Sequence, residues 1–369
     1  MRPRILILST AFAPLIGGSE LAIQRIAGVL AGFDFDIVTG RYNREARTQE
    51  NIGNIHIFRA GGRFSNFSFI LPKIFLPVMM AITAIRLIRK YKYTAIHAYQ
   101  ASQAAGGGLL VSWMFPKIPF IVTLQEGKNL SAQPPLLKWF RTKIIRRARL
   151  VTAISNYLVL YALSQKARSV VMIPNGVDAN LFTPAPTLSD DPIIITVSRL
   201  VPKNGILLLL DAFTIVRDQI PNAQLVIVGD GPLRKEAEQF ISTQRLESHI
   251  SLKGTIEYEQ LPEMIRRAMV FVRPSKSEGL GTAFLEAMAC GVPIVGPLIG
   301  GICDFLKHEE TGLICDPEDP KDIAKQLIRI ISNKELRERL RENGQKLVAE
   351  RYTWEIVAGS MQKIYEQFL

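Results

Sequence analysis

Short apolar runs of three to five residues recur along this chain, and each is followed by a turn and then a segment long enough for a helix. In the first half they fall at 5–8, 36–38, 55–58, 95–98, 120–124 and 150–154. In the second half they fall at 193–197, 224–228, 249–252, 270–272, 293–295 and 312–315. Runs rich in Ile and Val with little polar alternation read as strands buried on both faces. Strands that alternate with helices predict an α/β architecture of parallel sheets covered by helices on both faces. The 369 residues exceed what one hydrophobic core usually serves. Pro174, Pro184, Pro186 and Pro192 interrupt regular structure near the middle. Two domains are therefore expected, 1–175 and 176–350, with a terminal helical segment over 351–369.

Composition narrows the setting. The three cysteines, Cys290, Cys303 and Cys315, are too few and too irregularly spaced for a disulfide framework or a metal site, and read as small buried residues. Arg2-Pro3-Arg4 leads into only four apolar residues, which is too short for the core of a signal peptide, so a cytoplasmic chain is expected.

Charge is divided unevenly. Residues 1–175 carry 23 Lys and Arg against 6 Asp and Glu, a net of +17, and the remainder carries 22 against 27, a net of −5. The first half is thus expected to face an anionic partner, membrane or nucleic acid. No aromatic-rich basic recognition motif supports nucleic acid. In 136–151, a helix would align Leu137, Phe140, Ile144 and Ala148 on one stripe, with Lys138, Arg141, Lys143, Arg146, Arg147 and Arg149 mostly elsewhere and Trp139 at the boundary. That pattern suits a helix lying on an anionic bilayer, and equally a core-facing helix with a basic outer side. A second apolar stretch, 67–88, has only twelve residues between Lys73 and Arg86, short of the roughly 20 needed to span hydrocarbon. Pro72 and Pro77 are expected to break any continuous helix there, and the cluster Arg86, Arg89, Lys90 and Lys92 ends it. Peripheral membrane attachment is the expectation.

The densest chemistry lies in 273–293, RPSKSEGLGTAFLEAMACGVP. Two carboxylates, Glu278 and Glu286, stand eight residues apart around a loop carrying Gly279, Leu280, Gly281 and Thr282. A strand before the loop and a helix after it place Glu278 in the loop and Glu286 about one turn into the helix. The first helical N–H groups are then open to an anion, and glycines without Cβ atoms let a phosphate approach the backbone. A solvated loop with a capping acid is the plainer alternative. Two cations, Arg199 and Lys203, follow the strand 193–197 at its carboxyl end, where parallel sheets bind ligands. Near the N-terminus Gly17-Gly18-Ser19-Glu20 opens a helix but is not G-x-G-x-x-G, so a nicotinamide or flavin fingerprint is absent.

The segment E-x7-E with EAMACGVPIV and Gly300-Gly301 resembles the nucleotide-sugar site of retaining glycosyltransferases of the GT-B fold, family 4. Ile173-Pro174-Asn175-Gly176-Val177-Asp178, Ser198-Arg199-Leu200 and Gly229-Asp230-Gly231-Pro232-Leu233 are similar to further motifs of that family, in the same order. The resemblance implies two facing Rossmann-like domains with an interdomain cleft, and a last segment after Tyr352-Thr353-Trp354-Glu355 that crosses back to the first domain. It implies that Glu286 binds the nucleotide ribose, Glu278 the transferred sugar, and Arg199 and Lys203 the diphosphate, with Gly17 and Gly18 approaching the donor. Two departures stand out. Asn204 precedes Gly205 where relatives have lysine, so the lysine is one position earlier; and Gln125 stands where relatives carry histidine. Gln125 can hydrogen-bond a sugar but is no base. His97, at the end of another strand, is a candidate for the acceptor side, although a lone histidine there is more often structural.

Taken with the charge, the resemblance implies a retaining, metal-independent transferase that moves a sugar from a nucleoside-diphosphate sugar to a lipid-linked or envelope-glycan acceptor. No cofactor beyond that co-substrate is expected, and the chain is expected at the inner face of the cell membrane. The competing expectation is a non-catalytic partner or scaffold of the same fold, to which Gln125 and the displaced lysine point.

Overall fold

The computed structural model describes residues 2–13, 17–42, 46–61, 71–127, 133–186 and 190–369. Two compact units emerge, Met1–Gly176 with Trp354–Leu369, and Val177–Thr353. In unit 1, strands β1 (Arg4–Ser9), β2 (Asp34–Gly40), β3 (Gln49–Ile52), β4 (Ile55–Ala60), β5 (Ala95–Tyr99), β6 (Phe120–Leu124), β7 (Leu150–Ala153) and β8 (Val170–Met172) form one sheet in the order β3-β4-β2-β1-β5-β6-β7-β8. All pairs are parallel except the β3–β4 hairpin. Its helices are α1 (Gly18–Val29), α2 (Leu71–Lys90), α3 (Gln103–Met114), α4 (Pro135–Arg147) and α5 (Asn156–Ser164). Unit 2 has strands β9 (Ile193–Val197), β10 (Gln224–Val228), β11 (Ile250–Gly254), β12 (Val270–Val272), β13 (Ile294–Gly296) and β14 (Leu313–Ile314) in the all-parallel order β11-β10-β9-β12-β13-β14. Helices α6 (Ile206–Gln219), α7 (Arg234–Thr243), α8 (Leu261–Arg266), α9 (Thr282–Ala289), α10 (Pro320–Ser332) and α11 (Lys334–Arg351) belong to it, and α12 (Trp354–Glu366) returns to unit 1.

Each core follows from side-chain periodicity. In α10, Ile323, Leu327 and Ile330 lie one helical turn apart and are buried beside Leu209 and Phe213 of α6 and the strand residues Ile194, Leu225 and Val270. Pro320 is suited to the first turn, and the Asp319 side chain caps it by accepting from Lys321 N–H at 2.9 Å. α12 returns to unit 1 for the same reason: Trp354, Val357, Ala358, Met361, Ile364 and Tyr365 make a continuous apolar stripe, buried with Ile23 and Ile26 of α1. Each large side chain buried this way contributes about 1.5–3 kcal/mol, which a solvated α12 would forgo.

Three expectations change. α2 runs unbroken through Pro77 instead of stopping there. α3 accommodates it with two glycines: a Cβ on Gly106 would lie 3.4 Å from Pro77 Cβ, and one on Gly107 would lie 3.0 Å from the Pro77 carbonyl oxygen. The part of the 67–88 stretch before Leu71 lies outside the described residues. α4 ends at Arg147, so the expected apolar stripe is split: Ile144 and Ala148 are buried, whereas Leu137 and Phe140 face solvent. Arg141, placed with the solvent-side cations by its sequence position, is buried. Cys290 and Cys315 are buried and Cys303 is exposed. Among the described residues no helix is long and apolar enough to cross a membrane.

Candidate functional site

The carboxyl edge of the unit 2 sheet is built from loops that pack backbone against backbone. After β9, Ser198 N–H donates to Val228 O and Leu200 N–H to Asp230 O, both at 3.0 Å, which ties the Ser198-Arg199-Leu200 segment to the turn after β10. On the other side Lys276 N–H donates to Lys203 O at 2.7 Å. Glycines make this closeness possible. A Cβ on Gly229 would stand 1.9 Å from Ser198 O, and one on Gly300 2.0 Å from Glu278 O. Both also have positive φ, +123° and +57°, so any other residue would be strained as well as crowded.

Around Glu278 the charges converge. Its Oε1 lies 2.9 Å from Arg273 Nη2, accepts from Ser275 Oγ at 3.1 Å, and is 3.9 Å from Lys203 Nζ. Arg273 is buried, donates to Val197 O at 3.2 Å and stacks over Phe284 at 5.0 Å, while its Nε has no partner among the described residues. Lys203 Nζ also donates to Ser277 O at 3.1 Å, so the lysine reaches the carboxylate loop from its displaced position. Arg199 is exposed, and its guanidinium has no partner among the described residues. One carboxylate therefore meets two cations, Arg273 and Lys203, leaving net positive charge at these loops, where an anion is stabilised.

Glu286 sits one turn into α9, whose N-cap is Gly281 at φ +92°. Leu280 beside it is buried and Thr282 half-buried. The Glu286 carboxyl is buried and accepts from Tyr258 Oη at 2.9 Å. Burial pushes its pKa up to about 7, against the lowering effects of the Tyr258 hydrogen bond and the Arg273 charge. Tyr258 in turn packs on Phe182, ring centroids 5.3 Å apart.

In unit 1, the described part of the glycine loop begins at Gly17, whose extended N–H donates to Glu20 Oε2 at 3.0 Å; Pro14 and the two residues after it lie outside the described residues. Gly18 is the first residue of α1. Gln100, after β5, has φ +66° and reaches Ser19 Oγ at 3.2 Å. Such a conformation in a non-glycine residue concentrates at functional sites. Gln125, after β6, donates to Asn175 Oδ1 at 3.1 Å. Next to it, Glu126 accepts from the Ala101 and Gln125 N–H groups at 2.8 and 2.9 Å and lies 3.7 Å from Arg141 Nη2.

His97 is not among the edge residues. It is fully buried, Nδ1 bonded to Tyr365 Oη at 2.8 Å and Nε2 to Thr123 Oγ1 at 2.6 Å, and burial lowers its pKa to about 3. Its place in the middle of the sheet beneath α12 makes it a neutral structural link rather than an acceptor contact. Sequence reasoning gave no role to Arg273, Tyr258, Gln100 or Glu126. Arg273 carried the one readable signal, a cation directly after a fully apolar strand.

Two family models match end to end: Glycosyltransferase Family 4 over residues 16–181, and Glycosyl transferases group 1 over residues 180–347. With the two Rossmann-like units and the braced strand-end loops, they place the chain in family 4 of the GT-B glycosyltransferases. It is 25% identical over 363 residues to an uncharacterized glycosyltransferase of Methanocaldococcus jannaschii, covering 98% of this chain and 97% of that one. It is 28% identical over 212 residues to the GDP-mannose-dependent alpha-(1-6)-phosphatidylinositol monomannoside mannosyltransferase of Mycobacterium tuberculosis, covering 53% of this chain and 55% of the relative. HepE of Anabaena, solved in complex with UDP and glucose, shares the fold with a TM-score of 0.81 at 19% identity, covering 99% of this chain and 100% of that one.

Proposed function

We propose that this glycosyltransferase is a retaining, metal-independent hexosyltransferase that moves a sugar from a nucleoside diphosphate to a membrane-associated glycan or lipid-linked acceptor at the inner face of the cell membrane. The observation that carries the reading is the single braced set of unit 2 loops, which holds Arg199, Lys203 and the buried Glu286 on one sheet edge. As the sugar C1–O bond breaks, negative charge collects on the β-phosphate. Arg199 and Lys203 stabilise that charge, and each such donor is worth about 2.7–4 kcal/mol of barrier in comparable sites. Glu286, when ionised, accepts from ribose hydroxyls, and Glu278, held by Arg273 and Ser275, accepts from the transferred sugar. Retention follows if the acceptor attacks from the leaving-group side and the departing diphosphate takes its proton. No cofactor beyond the nucleotide sugar is required for that sequence.

Lys203 reaches Glu278 despite its shifted position, which favours catalysis over a scaffold role. The relatives are associated with both UDP and GDP-mannose, so the donor base is an experimental question. Calorimetry with UDP-, GDP- and ADP-sugars should find one donor that binds, with binding removed in Glu286→Ala; failure of all three refutes the reading. NMR of the product anomer tests retention, and turnover in EDTA tests metal independence.

A further inference from the structure

The helical layer on one face of the unit 1 sheet repeats a single arrangement. α2 and α4 both pack on α3, with Met80, Ala84 and Leu87 of α2 and Ile144 and Ile145 of α4 among their buried residues. Their outer faces change character along their length. Phe75, Val78 and Ile82 on α2, and Leu136, Trp139 and Phe140 on α4, are between 45% and 66% exposed at helical spacing. One to two turns further on come exposed cations, Arg86 and Arg89 on α2, Lys143 and Arg146 on α4. At 1.5 Å per residue these stand about 10 Å behind the apolar turns. Both helices follow strands of a parallel sheet, so both present their apolar halves toward the carboxyl edge.

We infer that this layer seats unit 1 on an anionic bilayer, the N-terminal halves of α2 and α4 entering the interface while Arg86, Arg89, Lys143 and Arg146 meet lipid phosphates. The inference rests on the membrane-side acceptor proposed above and specifies the surface that reaches it. Six large apolar side chains left in water at two places on one layer are unusual for a monomer surface. The depth an interfacial helix reaches, about 5–10 Å, fits an apolar turn with cations set behind it. Trp139 adds a ring of the kind that settles at headgroup level, stacked edge-on against Phe140 at 5.0 Å and approached by Lys143 at 5.5 Å. A second copy docked through the same face would set four cations against four. An anionic sheet of lipid resolves that repulsion.

Purified full-length chain should co-sediment with phosphatidylcholine vesicles containing phosphatidylglycerol, and much less with phosphatidylcholine alone. The variant Phe75→Ser/Ile82→Ser/Trp139→Ser/Phe140→Ser should weaken that binding about tenfold or more while donor-nucleotide binding is unchanged. Arg86→Glu/Arg146→Glu should remove the preference for phosphatidylglycerol, and brominated lipids should quench wild-type emission more than that of Trp139→Phe. The inference is overturned if wild type ignores the vesicles, if the apolar variant binds them as well as wild type, or if that variant instead dissolves a dimer. Donor binding is read separately in each variant, so loss of vesicle binding alone leaves the transferase reading standing, and loss of donor binding alone leaves the surface standing.

Discussion

The two units use charge in opposite ways. In unit 2 two cations are drawn inward: Arg273 is buried against Glu278, and Lys203 bonds a backbone carbonyl beside it, with Arg199 alone left exposed among the cations named for the site. In unit 1 the edge carries the amides Gln100, Gln125 and Asn175 and a largely buried pair, Glu126 with Arg141, while Arg86 and Arg89 on α2 and Lys143 and Arg146 on α4 point to solvent. Fixed charge in a rigid frame suits a ligand part that never varies, such as a diphosphate. Neutral amides suit a partner recognised by hydroxyls, and mobile surface cations suit a partner recognised only by its sign.

The sharpest way to break this contrast is Arg273→Ala. It leaves Glu278 with a weakened set of partners in a nearly buried position, and should destabilise unit 2 by about 3–5 kcal/mol, read as a lowered unfolding midpoint in urea. Arg199→Ala should leave that midpoint in place, because the side chain is exposed, and lower kcat/KM about 10²–10³-fold. In unit 1, Tyr365→Phe deprives buried His97 Nδ1 of its partner and should cost about 1–3 kcal/mol in the same unfolding experiment. Lys276→Ala is the weak end of the series: its pair with Glu318 at 2.9 Å is exposed and screened by solvent, and the unfolding midpoint should not move.

Acidity separates the units in direction. The pKa of Glu286 is raised from 4.5 to about 7 by burial, so its contribution to stability is fully present below 4.5 and is lost as pH rises through 7. That of His97 is lowered from 6.5 to about 3, so its contribution is present above 6.5 and is lost as pH falls toward 3. Glu286→Gln and His97→Phe should each flatten one of these opposed slopes in thermal unfolding. Tyr258→Phe removes a hydrogen bond that favours the ionised form of Glu286, and should move the acid limb of donor binding to higher pH. An unmoved limb would mean that Glu286 does not set donor affinity.

Much of this plan is legible in the residues alone. β6, β9, β10 and β12 fall on the Ile- and Val-rich runs, with only Thr123, Thr196 and the exposed first residue Gln224 polar, because strands covered on both faces bury nearly every side chain. β3 escapes notice because it is a polar, mostly exposed edge strand, paired through the tight Gly53-Asn54 turn. β8 is three residues long, and two of them are exposed. α4 is shorter than its periodicity suggests because β7 claims Leu150 onward, and sheet pairing outweighs a helical pattern there. In the site, motif order located Glu278, Glu286, Arg199 and Lys203 on one edge, whereas Arg273 and Tyr258 are defined by contacts across 76 and 28 residues of sequence, which no local pattern encodes.

Because α12 belongs to unit 1, the chain passes between the units twice, and the crossings run side by side: Val177 N–H donates to Tyr352 O at 2.6 Å, and Val177 pairs with Thr353. Unit 2 is thus one uninterrupted segment, while the core of unit 1 lacks Trp354 to Tyr365 until all of unit 2 and then α12 have been made. During synthesis unit 2 can finish folding first, and the half emerging earlier from the ribosome must wait with an open apolar face for α12. Removal of α12 would then leave the earlier half permanently unfinished.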